Sequence, residues 1–156
     1  MWDSLAIIDY LDAKTGRTRY WPDDPAALAM ARSITSEMHS SFNALRSRHS
    51  MNVRRMYTGV IATPEVEQDI ARIMQLWAEA RARFGGSGDF LFGDFGAADI
   101  MFAPVATRLT TYGLPIPRFA QAYVDDVINH RWMQDWIAAA QDEPWVIDRF
   151  EAIPVA

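Results

Sequence analysis

The sequence predicts an all-α fold of five to six helices, and three observations carry that prediction. Apolar residues recur at three- and four-residue steps through most of the 156 residues, the spacing that lines one face of a helix. Asp24-Pro25 and Thr63-Pro64 each pair a capping side chain with a proline in the first turn, where its missing N–H costs nothing. Alternating apolar and polar runs, the mark of a strand, are scarce.

The first helix follows a cap at Asp3 or Ser4, whose side chains can accept from the free N–H groups of its first turn. Leu5, Ile7, Ile8 and Leu11 give it an apolar stripe. The second starts at Asp24-Pro25 and runs through Leu28, Met30, Ile34, Met38, Phe42 and Leu45, one long buried face. The third starts at Thr63-Pro64, carries Val66, Ile70, Ile73, Met74, Trp77 and Ala80, and stops near Gly85-Gly86. A fourth runs from Gly96 to Tyr112-Gly113 with Pro104 inside it, where a kink is expected. The fifth covers about Pro117 to Asn129 and the sixth about Arg131 to Gln141, with a short turn after Pro144. The longest loop is Ser50 to Ala62, and loops are where binding residues gather.

Composition narrows the function. Half the residues are hydrophobic and 22% are charged, the balance of a globular chain. Its length suits a single domain, expected over residues 1–156, able to bury about 68–70% of its unfolded surface. The absence of cysteine excludes disulfides, thiolate metal sites and a cysteine nucleophile. The net charge of −5 argues against non-specific nucleic-acid binding, which needs a basic surface. No apolar run reaches the length of about 20 residues that spans a bilayer, and no basic stretch leads into an apolar core as in a secretory signal. A soluble, cytoplasmic protein with no membrane partner is the expectation.

The stretch Gly93 to Ile100 has its own local logic. With Gly96 as cap, Asp99 falls at the third helical position, and its carboxylate can return to the cap's own N–H, half of a capping box. Phe95 and Ile100 occupy the two positions of a hydrophobic staple. This box resembles one in the C-terminal helical domain of the glutathione transferases: Phe, a hydroxyl residue, two further residues, then Asp. The proline-containing helix with Arg108, and Met133 to Ala140 as the penultimate helix, are similar to that family too. The sequence departs from the pattern at Gly96, where the family usually carries Ser or Thr. The box is a fold marker there, and Phe95, Asp99 and Ile100 are structural.

The resemblance extends to the first residues. In the family an acidic residue and a serine cap the last helix of a thioredoxin-like domain and hold the γ-glutamyl end of glutathione, and Asp3-Ser4 matches that pair. It implies a right-handed helical bundle, with residues 1–14 standing for that last helix, and glutathione as co-substrate, with no cofactor held tightly. The family's thiolate-stabilising Tyr, Ser or Cys and its cis-proline lie upstream of the pair, so the chain reads as truncated. A thiol of ordinary pKa, about 8.5, needs a placed donor to act as a thiolate at neutral pH; no residue here supplies one by resemblance, and no catalytic residue is assigned.

Several groups carry two readings. Asp3-Ser4 is either the γ-glutamyl clamp or a plain helix cap. Arg46, Arg48, His49, Arg54 and Arg55 either form an anion site for a glutathione carboxylate or acidic substrate, with Arg54 and Arg55 as its candidates, or a solvated helix end. Met38, Phe42, Tyr112, Trp145 and Phe150 either line a pocket for a hydrophobic electrophile or are core. His39, His49 and His130 are scattered, so no metal site is expected. The leading function is the family's, transfer of glutathione to an electrophile, with this chain as the substrate-side half and weakly active or inactive alone. The alternative is a non-catalytic assembly module, which self-associates or finds a partner through an exposed apolar face.

Overall fold

The computed structural model describes residues 1–16 and 19–151. Their order is α1 (Ser4–Lys14), α2 (Pro25–Ser40), α3 (Asn43–Arg48), α4 (Pro64–Phe84), α5 (Ala97–Thr111), α6 (Arg118–Asn129), α7 (Arg131–Asp142) and a 3-10 turn at Asp148–Phe150. The fold is all-α. Among the described residues, pairing outside helices is limited to two isolated bridges, Phe90 with Gly93 and Phe92 with Asp94. No described helix is long and apolar enough to cross a membrane.

The chain falls into two compact units, Met1–Ser41 with Leu76–Phe102, and Phe42–Gln75 with Ala103–Ala156. In the first, α1 packs on α2. Ile8, Ala97 and Met101 form a buried cluster, flanked by Leu5, Tyr20, Trp21 and Ile100, and Trp77 meets Phe102 edge-on at 5.6 Å. In the second, α6 packs on α7, and Leu45, Val66, Ile73, Val105, Tyr123, Val124 and Val127 are almost fully buried.

The starts of α1 and α2 follow their capping chemistry. Asp3 caps α1, its carboxylate accepting from Leu5 N (3.0 Å) and Ala6 N (3.2 Å). Asp24 caps α2 through Ala27 N at 2.8 Å, with Pro25 in the first turn. α4 carries Glu65 and Glu67 in its first turn and Arg81 and Arg83 in its last, each charge facing the complementary pole of the helix dipole. α5 continues through Pro104. Most of its residues are buried, and its buried polar side chains Asp99, Thr107 and Thr111 are hydrogen-bonded.

Two expectations are corrected. The single helix expected from Asp24 to Leu45 is broken: α2 ends at Ser40 and α3 begins at Asn43. Phe42 between them has φ 61°, ψ 40°, the left-handed region that ends a helix. The apolar stripe expected on α1 is only partly buried. Ile8 is buried, whereas Ile7 and Leu11 are exposed. At 3.6 residues per turn, Ile7 lies roughly 100° around the helix from Ile8, and Leu11 lies above Ile7.

Candidate functional site

At the start of α1, Asp3 and Ser4 converge on a third side chain, His39, in the last turn of α2. Asp3 Oδ1 serves the helix cap. Oδ2 accepts from His39 Nε2 at 3.0 Å, and His39 Nδ1 stands 3.5 Å from Ser4 Oγ. The hydrogen bond from Ala6 N–H, helped by His39, holds the Asp3 carboxyl below its usual range. A carboxylate has about four lone-pair sites, so Asp3 keeps capacity for a further cation beside a hydroxyl and an imidazole. The arrangement sets a carboxylate, a hydroxyl and an imidazole side by side. Sequence spacing could not reveal His39, because it stands 35 positions from Ser4.

The remaining candidates divide between the two units. Met38 is buried in the first. Phe42, Arg54, Arg55, Tyr112 and Trp145 belong to the second, where the loop after α3 organises them. That loop is tied to α5 by Thr111 Oγ1 donating to Asn52 O (2.6 Å) and Tyr57 N donating to Thr111 O (2.7 Å). Tyr112 is 1% exposed. Its ring stacks on Tyr57 at 5.1 Å and meets His49 edge-on at 4.8 Å, while its hydroxyl donates to Ser50 O at 3.0 Å. Phe42 is likewise buried, whereas Trp145 is 76% exposed.

Arg54 and Arg55 both face the C-terminal segment. The Arg54 guanidinium donates to the carbonyls of Glu143 (2.7 Å) and Trp145 (3.0 Å). Arg55 Nε donates to Glu151 Oε2 at 2.7 Å, and Asn52 Nδ2 to Glu151 Oε1 at 3.0 Å. Tyr57 Oη and Ser50 Oγ donate to the carbonyls of Glu151 (2.9 Å) and Phe150 (3.0 Å). The bond from Arg55 holds the Glu151 carboxyl below its usual range. A cavity of about 160 Å³ lies beside these contacts, with Met51, Arg54, Trp145, Ile147, Phe150 and Glu151 among its lining residues.

His49 lies 1% exposed, and among the described residues neither of its ring nitrogens has a hydrogen-bond partner. Its carbonyl accepts from Arg108 Nε at 2.8 Å. Burial, then the charges of Arg108 and Arg48, push the imidazole pKa down. Sequence reading placed His49 in an arginine cluster; its burial is a tertiary fact with no local signal.

The Gly93–Ile100 stretch lies in the first unit. Asp99 is 1% exposed, and its two oxygens accept from Gly96 N (2.9 Å) and Leu91 N (3.2 Å). Phe95 meets Phe90 edge-on at 5.1 Å, and Ile100 joins the Ile8 cluster. A Cβ built at Gly96 would stand 2.8 Å from Tyr20 O, a carbonyl that also receives Ala97 N at 2.7 Å. A larger residue at Gly96 therefore needs that strand of backbone to shift. No group of three or more potential metal ligands occurs among the described residues.

Comparison with known proteins assigns the chain to a family. Residues 63–140 match the model described as glutathione S-transferase, C-terminal domain. Glutathione S-transferase GstB of Escherichia coli strain K12 is 32% identical over 137 residues, covering 79% of this chain and 61% of that protein. The protein of the same name in Escherichia coli O6:H1 matches to the same extent. The chain thus spans about three fifths of the length of these curated relatives.

Proposed function

Since the chain belongs to the glutathione S-transferase family through its C-terminal domain, we propose that it forms the substrate-side half of a site that conjugates glutathione to electrophiles. The observation that carries this reading is the convergence of Asp3, Ser4 and His39 at the start of α1. The Asp3 carboxylate would take the ammonium of the γ-glutamyl end, Ser4 would bond its carboxylate, and His39 would fix the Asp3 rotamer. Arg54 and Arg55 would serve in their own unit as an anion site, on release from the Glu143 and Trp145 carbonyls and from Glu151. No residue is assigned to thiolate activation in this reading, and its working compartment is the cytoplasm.

Asparagine caps a helix about as well as aspartate, so Asp3→Asn removes the charge while keeping α1. Calorimetric titration with glutathione is expected to show binding at least about tenfold weaker in Asp3→Asn, the equivalent of about 1.4 kcal/mol. Unchanged affinity would overturn the clamp. With an aryl halide and glutathione the chain alone is expected to turn over slowly, and rapid conjugation would show that its own residues activate the thiol.

A second reading, an assembly module, is favoured by exposed apolar side chains on α1 and just before it: Trp2, Ile7, Tyr10 and Leu11. A second copy of the chain is the occupant proposed for that face.

A further inference from the structure

The loop at residues 50–57 holds a carboxylate already, that of Glu151, by one donor on each oxygen: Asn52 Nδ2 at 3.0 Å and Arg55 Nε at 2.7 Å. We infer that this loop is a receptor for a ligand carboxylate attached to a flat apolar body, and that Glu151 is its internal occupant, which such a ligand displaces. The inference rests on the anion-site reading of Arg54 and Arg55 and names both the ligand class and the group that competes with it.

Three observations support it. The Asn52 half of the seat is set without help from Glu151, whereas the largely exposed Arg55 side chain is held by Glu151 itself. The Asn52 carbonyl is fixed by Thr111, its side-chain oxygen accepts from Arg54 N at 3.0 Å, and Tyr57 N is anchored on Thr111 O. The loop backbone and Asn52 therefore stay organised when the occupant leaves, which lowers the ordering cost of binding, and the Arg55 guanidinium is released to pair with the incoming carboxylate. The segment that delivers Glu151 is weakly held by packing. Residues 143–150 are all exposed, and the loop grips them through the carbonyls of Glu143, Trp145 and Phe150. Finally, the adjoining cavity of about 160 Å³ is lined on its apolar side by Met51, Trp145, Ile147 and Phe150. Its size and lining suit one ring. Paired donors at the edge of an apolar recess are the usual recognition plan for an aryl carboxylate. An occupant tethered to the same chain competes at high effective concentration, so the native seat is masked against free ligand.

Benzoate is the probe, titrated calorimetrically into the full chain without glutathione. Glu151→Gln is expected to bind it at least tenfold more tightly than the native chain. Arg55→Gln, made in that background, is expected to abolish the gain, and the neutral isostere benzamide is expected not to compete. Glu151→Ala provides a second unmasked seat, and circular dichroism checks that each variant folds. Equal affinity in native chain and Glu151→Gln would overturn the inference, as would benzamide binding as well as benzoate, or no benzoate binding to any of these chains. Loss of stability in Glu151→Gln with no gain in affinity would make the contact a structural tie only. Asp3→Asn is expected to leave benzoate binding unchanged, so failure of the glutathione clamp and failure of this seat are read separately.

Discussion

Asp99 shows how much one buried carboxylate can organise. Its oxygens satisfy Gly96 N at the start of α5 and Leu91 N in the loop before it. Removing them strands two backbone donors, one of them the N–H at the start of α5, so Asp99→Ala is expected to cost about 2 kcal/mol. A urea denaturation midpoint within error of the native value would refute this. The bond to Gly96 could be written from the sequence, because it spans three residues; the bond to Leu91 depends on how the loop folds back. His49 makes the converse case, a buried titratable ring whose nitrogens have no hydrogen-bond partner among the described residues. Burial first, then Arg108 and Arg48, hold it below its ordinary pKa. Above about pH 6.5 the ring is neutral in both folded and unfolded chains and adds no pH dependence. As pH falls below that value, the unfolded chain takes a proton the folded chain refuses. Stability then drops by at most about 1.4 kcal/mol per pH unit, until the folded ring titrates. The carboxyls held low, Asp3, Glu65 and Glu151, act in the same direction, but only as pH falls below about 4.5. Urea midpoints measured from about pH 7.5 to about 5.5 should therefore fall in the native chain and fall less in His49→Phe, where His130, lowered by burial, keeps part of the slope. Equal slopes in the two chains would exclude His49 as the cause.

At the scale of elements, the break between α2 and α3 marks where sequence reading fails and why. Met38, Phe42 and Leu45 keep helical spacing straight across it, so periodicity sees one helix. The left-handed turn is made by a phenylalanine rather than by glycine or asparagine, and it leaves no compositional trace. Two terms compete at Phe42. Glycine there would relieve backbone strain of about 1–2 kcal/mol, but it would delete a buried ring, a loss of about 3–5 kcal/mol. Burial wins, so Phe42→Gly is expected to lower stability by about 2–3 kcal/mol on balance; a stabilised variant would show that the turn, and not the ring, governs this junction. Elsewhere the elements were legible wherever the chemistry is local. The starts at Asp24-Pro25 and at Pro64 and the stop before Gly85 are set by the Asp24 cap, proline and glycine within a few residues. The partners at the candidate sites were not legible. Asp3 meets His39, and Asn52 meets Glu151, across 36 and 99 positions, distances over which no periodicity carries information.

On the scale of the whole molecule, the question is what the exposed apolar surface does in water. Trp2 is 96% exposed, and Ile7, Tyr10 and Leu11 are exposed with it. In the other unit Trp132, Trp136, Trp145 and Ile147 are exposed too. Single exposed apolar residues are ordinary, but a contiguous set along one helix marks an interface or an aggregation risk. A net charge of −5 over 156 residues sets a modest repulsion against association. The apolar term is not screened by salt, whereas the repulsion is. Sedimentation of the native chain is therefore expected to show a mass that rises with concentration, and more steeply with added salt. Ile7→Lys with Leu11→Lys changes the exposed side of α1 and leaves buried Ile8 in place, so this double variant is expected to fold and to sediment as a monomer over the same range. Native chain that stays monomeric at high concentration and high salt would remove the assembly reading. Association that survives both lysines would move the interface away from α1.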